Sequence, residues 1–101
     1  MAYTNDDRLV VASQAETGAL LVSTFSSTTA AEIRPGDSTR IMLTIYNEGP
    51  GTLYVLYGEG VPSTSNYSVK MYTDDYLELP FYQGQVKGLF GSTGTARITD
   101  L

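Results

Sequence analysis

A strict two-residue alternation on either side of a glycine-proline break constrains this chain more than any other feature. Ile41, Leu43 and Ile45 alternate with Met42, Thr44 and Tyr46, and Leu53, Val55 and Tyr57 alternate with Tyr54 and Leu56. A period of two puts successive side chains on opposite faces of an extended strand, whereas a helix needs apolar residues three and four apart. Between the arms lies Asn47-Glu48-Gly49-Pro50-Gly51. There glycine supplies positive φ, and proline fixes φ and removes an amide donor. The expectation is a β-hairpin, with Ile41, Leu43 and Ile45 facing inward from its first arm.

The same grammar extends along the chain. Strands are expected at residues 19–25, 30–34, 67–71, 76–79, 86–90 and 95–99, each bounded by glycine, proline or small polar residues. Pro35-Gly36 suits the centre of a type II turn, and Thr73-Asp74-Asp75 reads as another turn. Tyr67, Val69 and Met71 fall on one face, Leu77 and Leu79 point inward, and Pro80 ends its strand. Gly88 interrupts an otherwise apolar strand, which marks a bulge or a close backbone approach. About eight short strands with regular turn signals predict an all-β fold: an antiparallel β-sandwich or a jelly-roll-like small barrel. Residues 19–101 make up that domain. Residues 1–18 lack the period and read as an N-terminal arm. Their one apolar patch, Leu9, Val10 and Val11 with Ala12, makes them either a docking segment or a frayed end.

Charge narrows the function. The net charge is −5, and the six basic residues are scattered along the chain. An acidic chain without a basic stripe does not suit phosphate backbones or anionic membranes, so neither nucleic acid nor membrane is an expected partner. The opening residues are polar and acidic where a secretory leader is basic and then apolar, so no leader is expected. Histidine and cysteine are both absent. That removes the usual base of a nucleophilic triad, the thiol nucleophile and the common zinc ligands. Gly58-Glu59-Gly60 and Gly91-Ser92-Thr93-Gly94 lack the lysine and the following helix of a phosphate-cradling loop. The expectation is a non-enzyme with no catalytic residue, no cofactor and no metal.

Two groups of residues still call for weighing. Asp74 and Asp75 with Glu78 have the chemistry for calcium or for a glycosidase pair, but aspartates in a turn and an outward strand glutamate explain them more simply. The eight tyrosines are the stronger candidate. Tyr54 and Tyr57 lie on opposite faces of one strand, so an outward aromatic patch is expected. Tyrosine offers rigid, amphipathic contact area for protein or sugar. Tyr54 and Tyr72, together with Leu9, Val10 and Val11 of the arm, are the candidate partner-binding residues. Protein contact is favoured over sugar.

From Arg40 onward, a series of elements carries a resemblance. They are Arg40-x-Met-Leu-Thr-Ile-Tyr-Asn-x-Gly49, Thr52-Leu-Tyr-Val55 with Gly58, Ser65-Asn-Tyr-Ser-Val-Lys70, Tyr76-x-Glu-Leu-Pro80, Tyr82-x-Gly84 and Gly94-x-Ala-Arg-x-Thr99. Their order resembles that of small virion proteins of tailed bacteriophages, among them capsid decoration (cement) and head-auxiliary proteins. The likeness covers the chain beyond the Pro35 turn. It implies a compact β-sandwich or jelly roll, made in the host cytoplasm and placed on the capsid surface of the virion. The implied partners are the major capsid protein and further copies of the chain, as a trimer or a dimer. The alternative is a host-surface glycan-binding or connector module of a phage tail or head fibre. The family offers no catalytic residue to carry over.

Overall fold

The computed structural model describes residues 21–101. They form eight strands and no helix: β1 (Leu21–Phe25), β2 (Ala31–Arg34), β3 (Met42–Pro50), β4 (Leu53–Tyr57), β5 (Val69–Met71), β6 (Tyr76–Pro80), β7 (Val86–Phe90) and β8 (Gly94–Asp100). One sheet runs β1-β8-β3-β6 and the other β2-β7-β4-β5. All the pairings are antiparallel. β1 pairs with β8, β2 with β7, β3 with β6 and β4 with β5, so the second half of the chain folds back along the first. Successive strands of that doubled ribbon change sheets in steps, and the β8–β3 and β7–β4 ladders complete the two layers. This winding is a jelly roll, and the expected all-β sandwich stands.

The core lies between the layers. Leu43, Ile45, Ala96, Ile98 and Phe25 come from the first sheet, and Leu53, Val55, Met71, Val86, Phe90 and Ile33 from the second. Phe25 and Phe90 bridge the layers with stacked rings, 6.2 Å between centroids. Each residue sits where the two-residue period puts it. Leu77 and Leu79 pack against this core from β6, as the alternation predicts.

The hairpin expected over residues 40–58 does not form. Its arms are β3 and β4, which belong to different sheets. β3 is flanked by β6 and β8, and β4 by β5 and β7, so each arm gains two ladders where a hairpin between them would use one edge of each. The glycine-proline break is a crossing between layers instead. Gly51 is required there for closeness rather than for a turn: a Cβ on it would stand 2.3 Å from the Ser92 carbonyl oxygen. Its N–H donates to the Thr93 carbonyl across that contact, at 3.0 Å.

Three smaller expectations also give way. Ile41 precedes β3 and is exposed, because the inward register starts at Leu43. The type II turn at Pro35-Gly36 is absent, since Gly36 is not among the positive-φ glycines. The chain turns instead at residues 37–40, where the Arg40 N–H meets the Asp37 carbonyl at 3.1 Å. Tyr67 leaves the face of Val69 and Met71, because β5 begins only at Val69 and the Tyr67 ring packs against Tyr54. At Gly88 the close approach is present: a Cβ would lie 2.6 Å from the Tyr54 carbonyl oxygen.

Polar groups clamp both ends of β3. At one end Arg40 is only 1% exposed. Its guanidinium donates to Asp100 Oδ1 at 3.1 Å and to the carbonyls of Tyr82, Gly84 and Pro35 at 3.3, 2.9 and 2.5 Å. Arg34 of β2 takes the other Asp100 oxygen at 3.1 Å. At the far end Asn47 is fully buried. Its amide donates to the Gly51 and Met71 carbonyls at 3.0 and 2.9 Å and accepts from the Gly49 N–H at 2.7 Å.

Three expected outcomes follow from this architecture. Leu43→Asp removes a side chain with no exposure from the centre of the core. It should abolish the fold, since burying a leucine contributes roughly 1.5–3 kcal/mol and an unpaired buried carboxylate costs more. Circular dichroism and solubility read the result, and a native spectrum with unchanged melting would contradict the core assignment. Arg40→Met leaves three carbonyls without their donor and Asp100 with one partner. It should lower stability by about 3–5 kcal/mol in urea titration. Arg97→Gln, which breaks the exposed Arg97–Glu48 pair, should cost at most about 1 kcal/mol.

Candidate partner-binding surface

The candidate residues of the arm, Leu9, Val10 and Val11, lie outside the described residues. The other two, Tyr54 and Tyr72, are brought together. Tyr54 points outward from β4, in register with Lys70 of β5. The Lys70 Nζ lies 5.7 Å from the Tyr54 ring centroid and 5.5 Å from that of Tyr72. Tyr67 closes the group, with its ring edge-on to Tyr54 at 5.2 Å. Two phenol rings therefore flank one ammonium on the outer face of the second sheet, at the β5 edge, with Tyr67 against Tyr54. The Tyr72 phenol, and then that of Tyr54, raise the Lys70 pKa above its ordinary value. The lysine stays charged, and the ring faces hold its side chain along the surface.

The first sheet carries a second tyrosine face. Tyr46 and Tyr76 are cross-strand partners, both exposed. Each phenol donates to a carboxylate: Tyr46 to Asp74 Oδ1 at 2.6 Å and Tyr76 to Glu78 Oε2 at 2.9 Å. Those hydrogen bonds are the first cause of the raised pKa of each phenol. Asp74 adopts a left-handed φ of 70° in the turn after Tyr72. Its N–H donates to the Asn47 carbonyl at 2.7 Å, and Asp75 accepts from the Tyr72 N–H at 2.7 Å. Asp74, Asp75 and Glu78, weighed as a metal or glycosidase set, thus each serve a local hydrogen bond. Among the described residues no three acidic side chains converge as a metal site.

One concave site among the described residues is small. A hollow of ≈ 200 Å³ lies between β2 and the 58–66 loop, and Lys87 spans it by donating to the Gly60 carbonyl at 2.7 Å. That volume is below the ~300–1,000 Å³ of small-molecule pockets. Beside the two tyrosine faces, the described residues expose an apolar rim of Ile41, Phe81 and Leu101 at the end of the first sheet. Backbone bonds tie that rim together, Phe81 N–H to the Ile41 carbonyl at 2.6 Å and Ile41 N–H to the Leu101 carbonyl at 2.7 Å. Phe81 is 76% exposed at a φ of 59°, an uncommon backbone state for a bulky residue.

Tyr57, on the opposite face of β4 from Tyr54, packs against the core and lies 5.8 Å from the Tyr82 ring. Sequence reasoning found Tyr54 and Tyr72 but missed Lys70 and Tyr67. The period placed Lys70 outward, and the Tyr54–Lys70 register that joins them is a tertiary fact. The Tyr46–Tyr76 pair was missed for the same reason. Phe81 had a readable signal, an aromatic directly after the strand-ending Pro80. No family model matches the chain, and neither does a curated protein or a solved structure.

The Tyr46–Asp74 bond gives a testable pH dependence. The folded chain holds the Tyr46 proton above the ordinary value of 10.0. This contribution to stability is fully present below that value and is lost as pH rises through the raised one. Asp74→Asn keeps a side chain suited to the left-handed turn but removes the charge. It should bring the Tyr46 titration back toward its ordinary value, read from the Tyr46 ring resonance. An unchanged midpoint would dismiss the carboxylate as the cause.

Proposed function

We propose that this domain is a non-catalytic structural module of a tailed-phage virion. It decorates the capsid by docking on the major capsid protein, and it is made in the host cytoplasm before joining the particle. The observation that carries the reading is the outward display of tyrosine on both sheets, with the buried polar residues Arg40, Asp100 and Asn47 all committed to holding backbone and partners in place. Rigid phenol faces on a compact scaffold suit protein contact of high area and low ordering cost. The order of the motifs from Arg40 to Thr99 resembles phage head-auxiliary proteins and supplies the capsid. Jelly rolls recur in viral capsid and lectin domains, an analogy of fold that raises this reading without carrying it. The decoration module works as a homo-oligomer on the shell, reinforcing the junctions between subunits.

A second reading has its own observation. Tyr46 and Tyr76 set ring faces beside the Asp74 and Glu78 carboxylates, the two kinds of group that stack on and hydrogen-bond to a sugar. A host-glycan or connector module of a tail or head fibre would use that face. Electron microscopy of virions carrying a tagged copy separates the readings. Density spread over the shell is the expected outcome. Density confined to fibres, with binding on a glycan panel that Tyr76→Ala removes, would replace the first reading with the second.

A further inference from the structure

A sheet edge is an open row of hydrogen-bonding groups, and folded chains guard such edges with charge, proline, bulges or brevity. Two four-stranded sheets leave four edges among the described residues: β1, β6, β2 and β5. Three are guarded. β2 carries Glu32 and Arg34 with a register shift between them. β5 is three residues long with Lys70 at its centre. β6 contains Glu78 and ends in Pro80. β1 has none of these devices. It is Leu21-Val22-Ser23-Thr24-Phe25, without charge, proline or glycine. It pairs with β8 in unbroken register from Leu21↔Asp100 to Phe25↔Ala96. Among the described residues its outer edge is neutral and unguarded.

We propose that β1 is the self-association edge of this protein, pairing antiparallel with β1 of a second copy about a two-fold axis at Ser23. The chemistry of the strand selects a second copy as the occupant. Read in either direction, β1 runs large apolar, β-branched, serine, β-branched, large apolar. An isologous antiparallel contact requires that self-complementarity, because each residue meets its mirror position on the partner. Leu21 then stands opposite Phe25 of the second copy, Val22 opposite Thr24, and Ser23 opposite Ser23.

Two further observations fit. Leu21 shares the face of β1 that carries the buried Phe25, yet it is 41% exposed. The Phe25 end of a second copy would cover it and join the two cores. The chain also carries a net charge of −5, so two copies repel over most of their surfaces, and β1 is the one described edge without a charge. Affinity at such a contact comes from main-chain hydrogen bonds, and specificity from the alternating side chains. The resulting sheet would be eight strands wide, with the order β6-β3-β8-β1 continuing into the second copy. The axis is two-fold, where the family resemblance alone implied a trimer first. This inference does not depend on what the tyrosine faces bind.

The test uses the full chain and two double variants at the exposed outward positions. Both place a glutamate at position 24, beside Arg97 of β8, so they differ only at position 22. Val22→Glu/Thr24→Glu sets carboxylate against carboxylate twice across the axis. Val22→Lys/Thr24→Glu sets ammonium against carboxylate twice. Light scattering after size exclusion should give twice the 10.9 kDa chain mass for the parent chain, one chain for the first variant and two for the second. Circular dichroism confirms that each variant is folded.

An independent readout avoids charge altogether. The chain has no cysteine, and an axial pair in an antiparallel ladder has Cα atoms about 4.5–5.5 Å apart, within disulfide range. Ser23→Cys should therefore cross-link to a dimer under a mild oxidant at least about tenfold faster than Ser65→Cys, because pairing raises the local thiol concentration. A parent chain that stays monomeric overturns the proposal, whether residues 1–20 or nothing occupies the edge. So does a trimer mass, a dimer that survives the Glu/Glu variant, loss of dimer in the Lys/Glu variant, or equal cross-linking at positions 23 and 65.

Discussion

The buried Arg40–Asp100 contact holds the two layers in register at one end of the molecule. Asp100 closes β8 of the first sheet, and Arg34, its other partner, closes β2 of the second. One carboxylate thus ties the last strand of one layer to an edge strand of the other. Arg40 extends the tie to the chain after β2 and to the β6–β7 corner through the Pro35, Tyr82 and Gly84 carbonyls. Those carbonyls belong to irregular backbone with no ladder to satisfy them. A guanidinium suits this position because its planar fork presents five donors in fixed directions, and an ammonium presents three around a point. A buried pair of this kind adds little net free energy over an apolar substitute, but it strongly penalises any arrangement that leaves one member unpaired. Its effect is to exclude alternative pairings of the strand ends.

Asn47 performs the matching task at the other end of β3. It lies in the same inward phase as Leu43 and Ile45, so an amide enters the core where the period calls for an apolar residue. The crossing between the sheets frees backbone groups of Gly49 and Gly51, and the Asn47 side chain satisfies both together with the Met71 carbonyl at the end of β5. This explains why the break is a crossing and not a hairpin. A two-residue hairpin turn satisfies its own backbone groups, whereas a crossing between layers needs an internal donor and acceptor at its base.

The existence, type and inward faces of the strands were legible because a period of two is a local property. Leu43, Ile45, Leu53 and Val55 are buried as their alternation requires. Partner choice was not legible, since the alternation of β3 and β4 is the same whether they pair with each other or with β6, β8, β5 and β7. The inward phase did contain a warning at each end: Asn47 continues the phase of Leu43, and Asp100 continues that of Ala96 and Ile98. A polar residue in a core phase has to meet a partner that is not local. Followed through, Asp100 leads to an arginine, and Asn47 leads to loop backbone at a crossing. At the candidate surface, composition singled out tyrosine. The Tyr54–Lys70 and Tyr46–Tyr76 groupings depend on register, which no single strand encodes.

The surfaces divide by charge in a way that bears on assembly. Four carboxylates of the first sheet and the adjoining turn, Glu48, Asp74, Asp75 and Glu78, are each hydrogen-bonded by Arg97, Tyr46, the Tyr72 N–H and Tyr76. Such bonds fix the acidic groups in place and turn a diffuse negative charge into a patterned face. Asp74, Asp75 and Glu78 sit on the β6 side of the first sheet, the Glu48–Arg97 pair bridges β3 and β8, and the Tyr54–Lys70 cluster sits at the β5 edge of the second. β1 is the opposite edge of the first sheet, with β8 and β3 standing between it and β6. With strands about 4.8 Å apart in a sheet, contact along β1 leaves both tyrosine faces clear. An edge that joins copies through main-chain bonds and faces that meet another protein through phenols are therefore compatible in one small domain. Neither contact has to open the core that Arg40 and Asn47 close.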